Sequence, residues 1–219
     1  MLTVVEAIQQ RRSTRSYRSD PVPQEMILQM LETARLAPSG SNRQPWRFVV
    51  VTDPEEKRQL RQVCLDQAFI EEAPVVFVAC ADLNAYTQAS SRKRTQEFID
   101  FGVQLSGRFA EALAQFDDPA FRKTMESIPD PDPQTVVATA TANTYIAVEH
   151  LVLMATALGL GSCWVGAIAQ HTAVKALLNI PDNAVVVALV TVGYAASTPP
   201  PRPRLPLEDI LLRPLRTTP

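Results

Sequence analysis

Five arginines close to the two ends of the chain are its best candidates for binding an anion. They are Arg11, Arg12, Arg15, Arg202 and Arg204. A guanidinium group binds phosphate through two parallel hydrogen bonds, and the hydroxyls of Ser13 and Thr14 can donate or accept further bonds. The alternative for both clusters is an ordinary set of solvated charges, the first of which would complement the end of a helix dipole. Taken one at a time, the clusters leave both interpretations open.

A polar loop at residues 38–46 offers a second set of hydrogen-bonding groups. Its sequence is Pro-Ser-Gly-Ser-Asn-Arg-Gln-Pro-Trp, and it leads into a predicted buried strand. Amides and hydroxyls can read the polar edge of a heterocycle, which presents alternating donors and acceptors. The same residue types also dominate ordinary turns, so ligand binding and simple turn formation are alternative explanations.

Several common catalytic motifs are missing from the sequence. It contains no Gly-x-Gly-x-x-Gly, no Walker-type loop and no Gly-x-Ser-x-Gly. A structural role is the simpler interpretation of His150 and His171, which fall in an apolar helix and a predicted loop. Three cysteines without a Cys-x-x-Cys spacing indicate neither a disulfide scaffold nor a zinc site. We therefore predict no metal site and name no catalytic side chain.

The composition is that of an ordinary globular protein. The 219 residues are 46% hydrophobic and 20% charged, which excludes a largely disordered chain, and their number fits one domain or two small ones. A net charge of -2 argues against a nucleic-acid-binding protein. Residues 150–173 are uncharged, but glycines interrupt them, so we expect no membrane span. The N-terminus does not resemble a signal peptide, and we expect a cytoplasmic protein.

Hydrophobic periodicity predicts apolar strands separated by helices. Helices are expected from Thr3 to about residues 9–12, between Pro23 and Pro38, from Asp53 to about Cys64, and over about 92–115, 135–158 and 173–178; strands are expected over 46–52, 74–81, 162–168 and 184–193. Residues 117–133 contain four prolines and are predicted to form a loop. This alternation indicates an α/β or α+β fold and leaves the strand order open.

The long helix predicted over 135–158 indicates a dimer interface. The helix over 135–158 is apolar all round, with Glu149 as its only formally charged residue, and a helix of that kind must be buried on every side. A chain of this size can hardly bury it alone. Residues 194–219 contain seven prolines and are predicted to cross the surface as an extended arm.

Four segments, in this order and spacing, resemble the nitroreductase family of FMN-dependent oxidoreductases. They are Arg-Arg-Ser-Thr-Arg at 11–15, Pro-Ser-Gly-Ser-Asn-Arg-Gln-Pro-Trp-Arg-Phe at 38–48, Gly-Leu-Gly-Ser-Cys-Trp-Val-Gly at 159–166 and Arg-Pro-Arg at 202–204. The resemblance runs from residue 4 to about residue 212, and no recognised motif covers 84–133. Some members carry Glu where this chain has Val165 before Gly166, and the substrate could differ between such branches.

The resemblance implies a single α+β domain over 1–219, a three-layer α/β/α fold with a central, mostly antiparallel sheet flanked by helices. It implies a homodimer in which the C-terminal arm, 194–219, wraps around the partner, and it makes 84–133 a lid insertion. Basic residues within that segment could attract an anionic substrate or the phosphate of NADPH, or could simply be a solvated helix start. They are Arg92, Lys93 and Arg94.

The resemblance also implies a role for each site residue toward FMN. Arg11, Arg12 and Ser13 would hold the phosphate and ribityl chain, Arg202 and Arg204 would close the phosphate site, and Arg15 would lie at the pyrimidine edge of the ring. Contacts from the opposite subunit would come from Pro38, Ser39, Ser41 and Asn42, with Gln44 supporting their loop. Trp164, Val165 and Gly166 would line the other side of the ring near N5.

The activity implied by the resemblance is hydride transfer from NAD(P)H, through flavin N5, to a nitroaromatic, a quinone or a similar acceptor with ping-pong kinetics. Three alternatives remain at this point. One is a flavin-binding store or sensor without turnover, and another is a specialised branch that performs dehalogenation or flavin-consuming chemistry. The third is a hydrolase that uses Ser162 or Cys163 and needs no coloured cofactor.

Overall fold

A computed structural model describes residues 2–100, 118–120, 123, 127, 129 and 131–213. The elements in chain order are α1 (Val4–Gln10), α2 (Gln24–Arg35), a 3₁₀ turn (Gly40–Asn42), β1 (Trp46–Val51), α3 (Pro54–Val63), α4 (Ala68–Glu72), β2 (Val75–Asp82), a second 3₁₀ turn (Leu83–Tyr86), α5 (Gln88–Asp100), α6 (Pro133–Ala157), β3 (Gly161–Val165), α7 (His171–Leu177), β4 (Ala184–Gly193) and α8 (Leu207–Ile210).

The strands form one sheet in the order β1-β2-β4-β3, and all three strand pairs are antiparallel. The central strands β2 and β4 are buried on both faces, which explains why their sequences read as continuous runs of apolar residues. A register shift occurs in the β2–β4 pair between Ala79 and Cys80.

Helices cover both faces of the sheet. Along β2, Val75 and Phe77 point toward α2 and α6, whereas Val76 and Val78 point toward α3, α4 and α7, as the two-residue period of a strand requires. The result is two apolar cores with the sheet between them. This confirms the predicted α+β, three-layer arrangement with a mostly antiparallel central sheet.

Helix starts and stops agree with the signals in the sequence. The side chain of Thr3 accepts a hydrogen bond from the backbone N–H of Glu6, and the Glu6 carboxylate accepts one in return from the N–H of Thr3. Asp53 caps α3 in front of Pro54. Gly159 ends α6 with a φ of 78°, a left-handed conformation that glycine adopts without strain.

The segment between β2 and α6 departs from the prediction. Helix α5 begins at Gln88, not near residue 92, because the Thr87 hydroxyl accepts a hydrogen bond from the N–H of Ser90 and so caps the helix earlier. The predicted extension to 115 falls outside the described residues.

The predicted loop over 117–133 is wrong at Pro119, Ala120, Lys123 and Ser127, which are helical. The prediction counted Pro119 among the prolines of a loop. In the structure this proline follows Asp118, whose carboxylate accepts a hydrogen bond from the N–H of Ala120. Proline is well tolerated at such a helix start. The strand predicted over 162–168 is also shorter and ends at Val165.

Helix α6 is long and apolar enough to span a membrane by length and composition, but 39% of its most apolar window is buried within this chain. Its buried residues pack against α2 and the sheet, as in the core helix of a soluble protein. Its exposed residues include Val137, Tyr145 and Ile146. The single chain therefore leaves an apolar side of α6 uncovered, as the sequence pattern predicts for a helix at an interface.

Candidate functional site

Backbone hydrogen bonds fix the segment at residues 11–18 between two parts of the sheet. The N–H of Thr14 donates to the carbonyl of Ser162 in β3 at 2.9 Å, and the N–H of Arg18 donates to the carbonyl of Tyr194, directly after β4, at 2.8 Å. In return, the N–H of Ala196 donates to the carbonyl of Ser16 at 2.9 Å. The start of the C-terminal arm therefore lies against the segment that carries the first three arginines.

Thr14 anchors this segment on its inner side. Its side chain is 2% exposed and lies directly over Gly161, where a Cβ atom would come within 2.5 Å of the Thr14 hydroxyl oxygen. The Tyr17 hydroxyl donates to the carbonyl of Thr14 at 2.8 Å and lies 2.7 Å from the Thr191 hydroxyl oxygen. Because the segment is extended, burying Thr14 leaves Ser13 and Arg15 on the outer side.

The arginines from both ends of the chain line one cavity of about 630 Å³. Small-molecule sites typically measure about 300–1,000 Å³. The lining residues are Ile8, Gln9, Arg11, Arg12, Ser13, Arg15, Pro199, Pro200, Pro201, Arg202 and Arg204. The five residues predicted to hold the phosphate and ribityl chain thus face a common space within one chain, together with Arg15, which was predicted at the pyrimidine edge.

The electrostatics of the cavity favour an anion. None of the described residues that line it is acidic, and none of its five arginines forms a salt bridge with a described carboxylate. The Arg12 guanidinium donates to the carbonyls of Gln9 and Arg11 at 2.7 and 2.9 Å, and the Arg15 guanidinium lies 5.8 Å from the centre of the Phe69 ring. The cavity can therefore accept the charge of a phosphate group without displacing an existing ion pair.

Glu149 of α6 is the acidic residue whose charge interacts with Arg11. It keeps an exposed surface, yet partial burial raises the pKa of its carboxyl, and the positive charge of Arg11 opposes that rise. The Cys163 thiol lies on the other side of β3, where burial raises its pKa and Arg15 and Arg11 oppose the rise.

The loop at residues 38–44 lies away from this cavity. None of its residues lines the cavity wall, and Pro38, Ser41 and Asn42 are exposed. The N–H of Gln44 donates to the Ser39 hydroxyl at 2.9 Å, and the Gln44 side chain donates to the carbonyl of Asn42 at 3.3 Å. The structure therefore brings the predicted loop residues together with each other, but not with the five arginines of the same chain.

The third predicted group divides between the two faces of the sheet. The Trp164 ring is half-buried on the α6 side, with its centre 5.5 Å from that of Tyr145. The Val165 side chain is 2% exposed and packs in the opposite core, so only its backbone is left to contact a ligand. Gly166 is exposed, and a Cβ atom there would meet nothing within 4 Å.

Several residues of this region escaped the sequence analysis. Ile8 and Gln9 belong to the last turns of α1 and could have been found from their place directly before the arginines. Asn143 is a buried amide on α6 that holds the loop, and the signal for it was a lone Asn in an apolar helix. No group of three or more His, Cys, Asp or Glu that could hold a metal occurs in the part of the chain that the structure describes.

Known proteins are similar to this chain in sequence and in fold. The chain is 40% identical over 212 residues to an NADH dehydrogenase of Thermus thermophilus. The alignment covers 97% of this chain and 96% of the relative. It is 26% identical over 211 residues to an FMN reductase [NAD(P)H] of Bacillus subtilis, covering 96% of this chain and 73% of that protein.

Among solved structures, a protein described as a nitroreductase in complex with FMN, from Exiguobacterium sibiricum, superimposes with a TM-score of 0.78 at 24% identity. The superposition covers 96% of this chain and 97% of that one, and it supports the fold. The model of the Nitroreductase family matches residues 8–194, which include the first three motifs of the site. The chain belongs to the nitroreductase family.

Proposed function

We propose that the protein is an FMN-dependent oxidoreductase that passes a hydride from NAD(P)H to a small electron-poor acceptor such as a nitroaromatic or a quinone. The observation that carries this proposal is the single cavity lined by Arg11, Arg12, Arg15, Arg202 and Arg204. The activities for which the Thermus and Bacillus relatives are named, a dehydrogenase of NADH and a reductase of FMN, support the same class of reaction.

The cavity fits a flavin mononucleotide by its donor chemistry. Arginine is the side chain best suited to paired hydrogen bonds with phosphate oxygens, and the Ser13 hydroxyl and Gln9 amide add donors for the phosphate and ribityl groups. The cavity volume of about 630 Å³ is larger than a phosphate alone would need. Arg15, which lines the cavity and lies beside Phe69, would oppose negative charge at the pyrimidine edge of the ring.

When bound, FMN would supply a two-electron centre that accepts hydride from NAD(P)H and returns it to the acceptor. The chain's own residues would then hold the ring and keep one of its faces open. Trp164, and the backbone of Val165 and Gly166 after it, would bound the ring near N5. No side chain has to donate or remove a proton in this scheme.

We also propose that the working unit is a homodimer, in which the 38–44 loop of each protomer completes the flavin site of the other. Exposed apolar residues on two adjacent helices support this: Val4, Val5 and Ile8 on α1, and Tyr145 and Ile146 on α6. The arm exposes Leu205, Leu207, Ile210 and Leu212 as well. Exposed apolar residues on adjacent helices are typical of a protein–protein interface. The arm's described part also includes the short helix α8, so it is not extended throughout.

The remaining assignments are also proposals. The segment at 84–133 would act as a lid over the flavin, and its Arg94 already pairs with Glu97 within α5. Three free cysteines fit a reducing compartment, and we expect the protein to be cytoplasmic.

The visible spectrum of the purified protein, followed by an anaerobic titration with NADPH and NADH, tests the proposed function. We expect flavin absorbance that bleaches with either or both nucleotides and returns when menadione or nitrofurazone is added. Bound flavin that does not bleach would indicate a store or sensor, and turnover only with an iodinated phenol would indicate the dehalogenating branch. A colourless protein that takes up no added FMN would contradict the proposal.

A further inference from the structure

The loop at residues 39–44 holds an unusual backbone conformation. Ser41, Asn42 and Gln44 have positive φ values of 51°, 51° and 48°. This left-handed region is uncommon for residues other than glycine, and a serine or glutamine there is strained unless its surroundings hold it. The loop must therefore be stabilised by contacts outside itself.

Asn143 supplies the central contact. It lies on α6, is 9% exposed, and uses both ends of its amide. Its Oδ1 accepts a hydrogen bond from the N–H of Gly40 at 3.1 Å, and its Nδ2 donates to the Tyr86 hydroxyl at 2.9 Å and to the carbonyl of Thr139 at 2.8 Å. A single side chain thus connects the core helix, the loop and the 3₁₀ turn after β2.

Arg43 makes a parallel connection from the loop to the same turn. Its guanidinium donates to the carbonyl of Ala85 at 2.9 Å and lies 5.0 Å from the centre of the Tyr86 ring. Ala85 and Tyr86 are themselves buried. The loop is therefore held at Gly40 by Asn143 and at Arg43 by the 3₁₀ turn, while Ser41 and Asn42 between them face outward.

We infer that Asn143 is a positioning residue for flavin binding, which acts without touching the flavin by holding Gly40 so that Ser41 and Asn42 reach the cofactor of the neighbouring subunit. This inference rests on the proposed function. Replacing Asn143 by leucine leaves the Gly40 N–H and the Tyr86 hydroxyl without their partner, so the strained loop loses its main restraint. Ordering the loop then costs free energy when the flavin binds, which weakens flavin binding.

Flavin titration of flavin-free protein tests the inference with Asn143→Leu, Tyr86→Phe and a matched control. The control is Thr144→Val on the same helix. It removes a buried hydrogen bond of similar length, 2.9 Å from the Thr144 hydroxyl to the carbonyl of Ala140, without touching the loop. We expect Asn143→Leu to bind FMN at least about tenfold more weakly than wild type, and Thr144→Val to bind as wild type does.

Tyr86→Phe removes only the hydroxyl that accepts from Asn143, so it carries the test if Asn143→Leu does not fold. We expect it to weaken binding in the same direction by a smaller factor. Hydrogen exchange of the peptide covering 38–46, measured without flavin, adds a readout of the loop itself. Its amides should exchange faster in Asn143→Leu and Tyr86→Phe than in Thr144→Val.

Mixed dimers locate the site that the loop serves. A dimer with Asn143→Leu in one protomer and Arg204→Ala in the other should keep one tight flavin site, because both changes damage the same site. A dimer with both changes in one protomer should have two weakened sites. The reverse pattern would overturn the inference, because it would mean that the loop serves its own subunit.

Two further outcomes are decisive. If wild type binds FMN and Asn143→Leu and Tyr86→Phe bind it equally well, the inference is wrong while the proposed function stands. If wild type takes up no FMN although the exchange of the loop changes as expected, the proposed function is wrong, and the role of Asn143 toward a flavin is lost with it.

Discussion

Arg204 shows how much a single side chain can contribute to this site. It lies far along the chain from Arg11, yet both line the same cavity, and its guanidinium donates to the neighbouring carbonyl of Pro203 at 3.3 Å without pairing with a described carboxylate. A charge-assisted hydrogen bond is worth about 1.5–3 kcal/mol, so Arg204→Ala should weaken FMN binding by roughly 10- to 150-fold. Titration of flavin fluorescence at several salt concentrations would measure this loss.

Arg213→Ala is the matched control for that change. It removes the same charge from the same arm, at an exposed position outside the cavity lining. We expect flavin affinity to stay close to that of wild type. Equal losses in the two variants would mean that the arm attracts the flavin through its total charge, which would argue against a specific role for Arg204.

The cysteines give a prediction about pH. All three are buried, and burial raises the pKa of the Cys64 and Cys80 thiols to about 11 and shifts that of Cys163 in the same direction. Only about one thiol in a thousand is then a thiolate at pH 8 for a pKa near 11, and the thiolate is the reactive form.

Native protein should therefore resist alkylation by iodoacetamide at pH 8 and keep its activity. Mass spectrometry should show three modified cysteines only after denaturation in guanidinium chloride. Rapid modification of native Cys163 with loss of activity would revive the hydrolase alternative.

At the scale of residues, the sequence was enough to predict side chains with distinctive chemistry. It was not enough to predict residues whose role depends on where the fold places them. Guanidinium chemistry marked the arginines at both ends as candidates for binding an anion, but only the resemblance to the family assigned them to one phosphate. Asn143 could not be connected to the loop, because Gly40 lies 103 positions away and the hydrogen bond depends on how α6 crosses the sheet. The core position of the Val165 side chain likewise depends on which face of β3 it occupies.

Strand β3 supports the segment at residues 11–18, which carries three of the arginines that line the cavity, and the two elements meet at Gly161. A Cβ atom at Gly161 would lie 2.5 Å from the Thr14 hydroxyl oxygen and 2.8 Å from its Cβ. Thr14 is buried and hydrogen-bonded to β3 through its backbone, so it has little room to move. We expect Gly161→Ala to lower the free energy of unfolding by about 1–3 kcal/mol and to weaken flavin binding, because the arginine segment must shift.

Thermal and urea unfolding with Gly166→Ala as the control would check this prediction. A Cβ atom at Gly166 meets nothing within 4 Å, so that variant should unfold as wild type does. If Gly161→Ala were as stable as Gly166→Ala, the close contact of β3 with Thr14 would not be a restraint on the fold.

At the scale of elements, prediction succeeded where a signal was local. Capping residues set the starts of α1 and α3, and runs of valine identified β1 and β4. It failed at boundaries between β2 and α6, where Thr87 caps a helix that begins before the predicted residue 92, and Asp118 precedes helical residues inside the predicted loop. The order of the strands was also beyond the sequence, because the lengths of the connections fit both parallel and antiparallel neighbours.

At the scale of the whole molecule, the exposed apolar surface is unevenly distributed. Val4, Val5 and Ile8 on α1 are 71%, 62% and 57% exposed, and Tyr145 and Ile146 on the adjacent α6 are 41% and 40% exposed. The opposite side of the sheet is covered by α3, α4 and α7. This asymmetry agrees with the proposal, made from the composition of α6, that the helix lies at an interface, because the chain's own fold covers only one side of it.

Ile146→Glu tests whether that surface joins two copies of the chain. A carboxylate within the proposed apolar interface would be costly to desolvate, so we expect the variant to be monomeric. It should also lose most of its bound FMN, since in the proposed dimer each flavin site needs the neighbouring loop. Leu65→Glu, at a 60% exposed leucine between α3 and α4, is the control and should remain a coloured dimer. Sedimentation velocity with absorbance detection at flavin and protein wavelengths measures both properties in one experiment. A monomeric Ile146→Glu that keeps its full complement of FMN would show that one chain suffices for the site, and the shared-site arrangement would have to be abandoned.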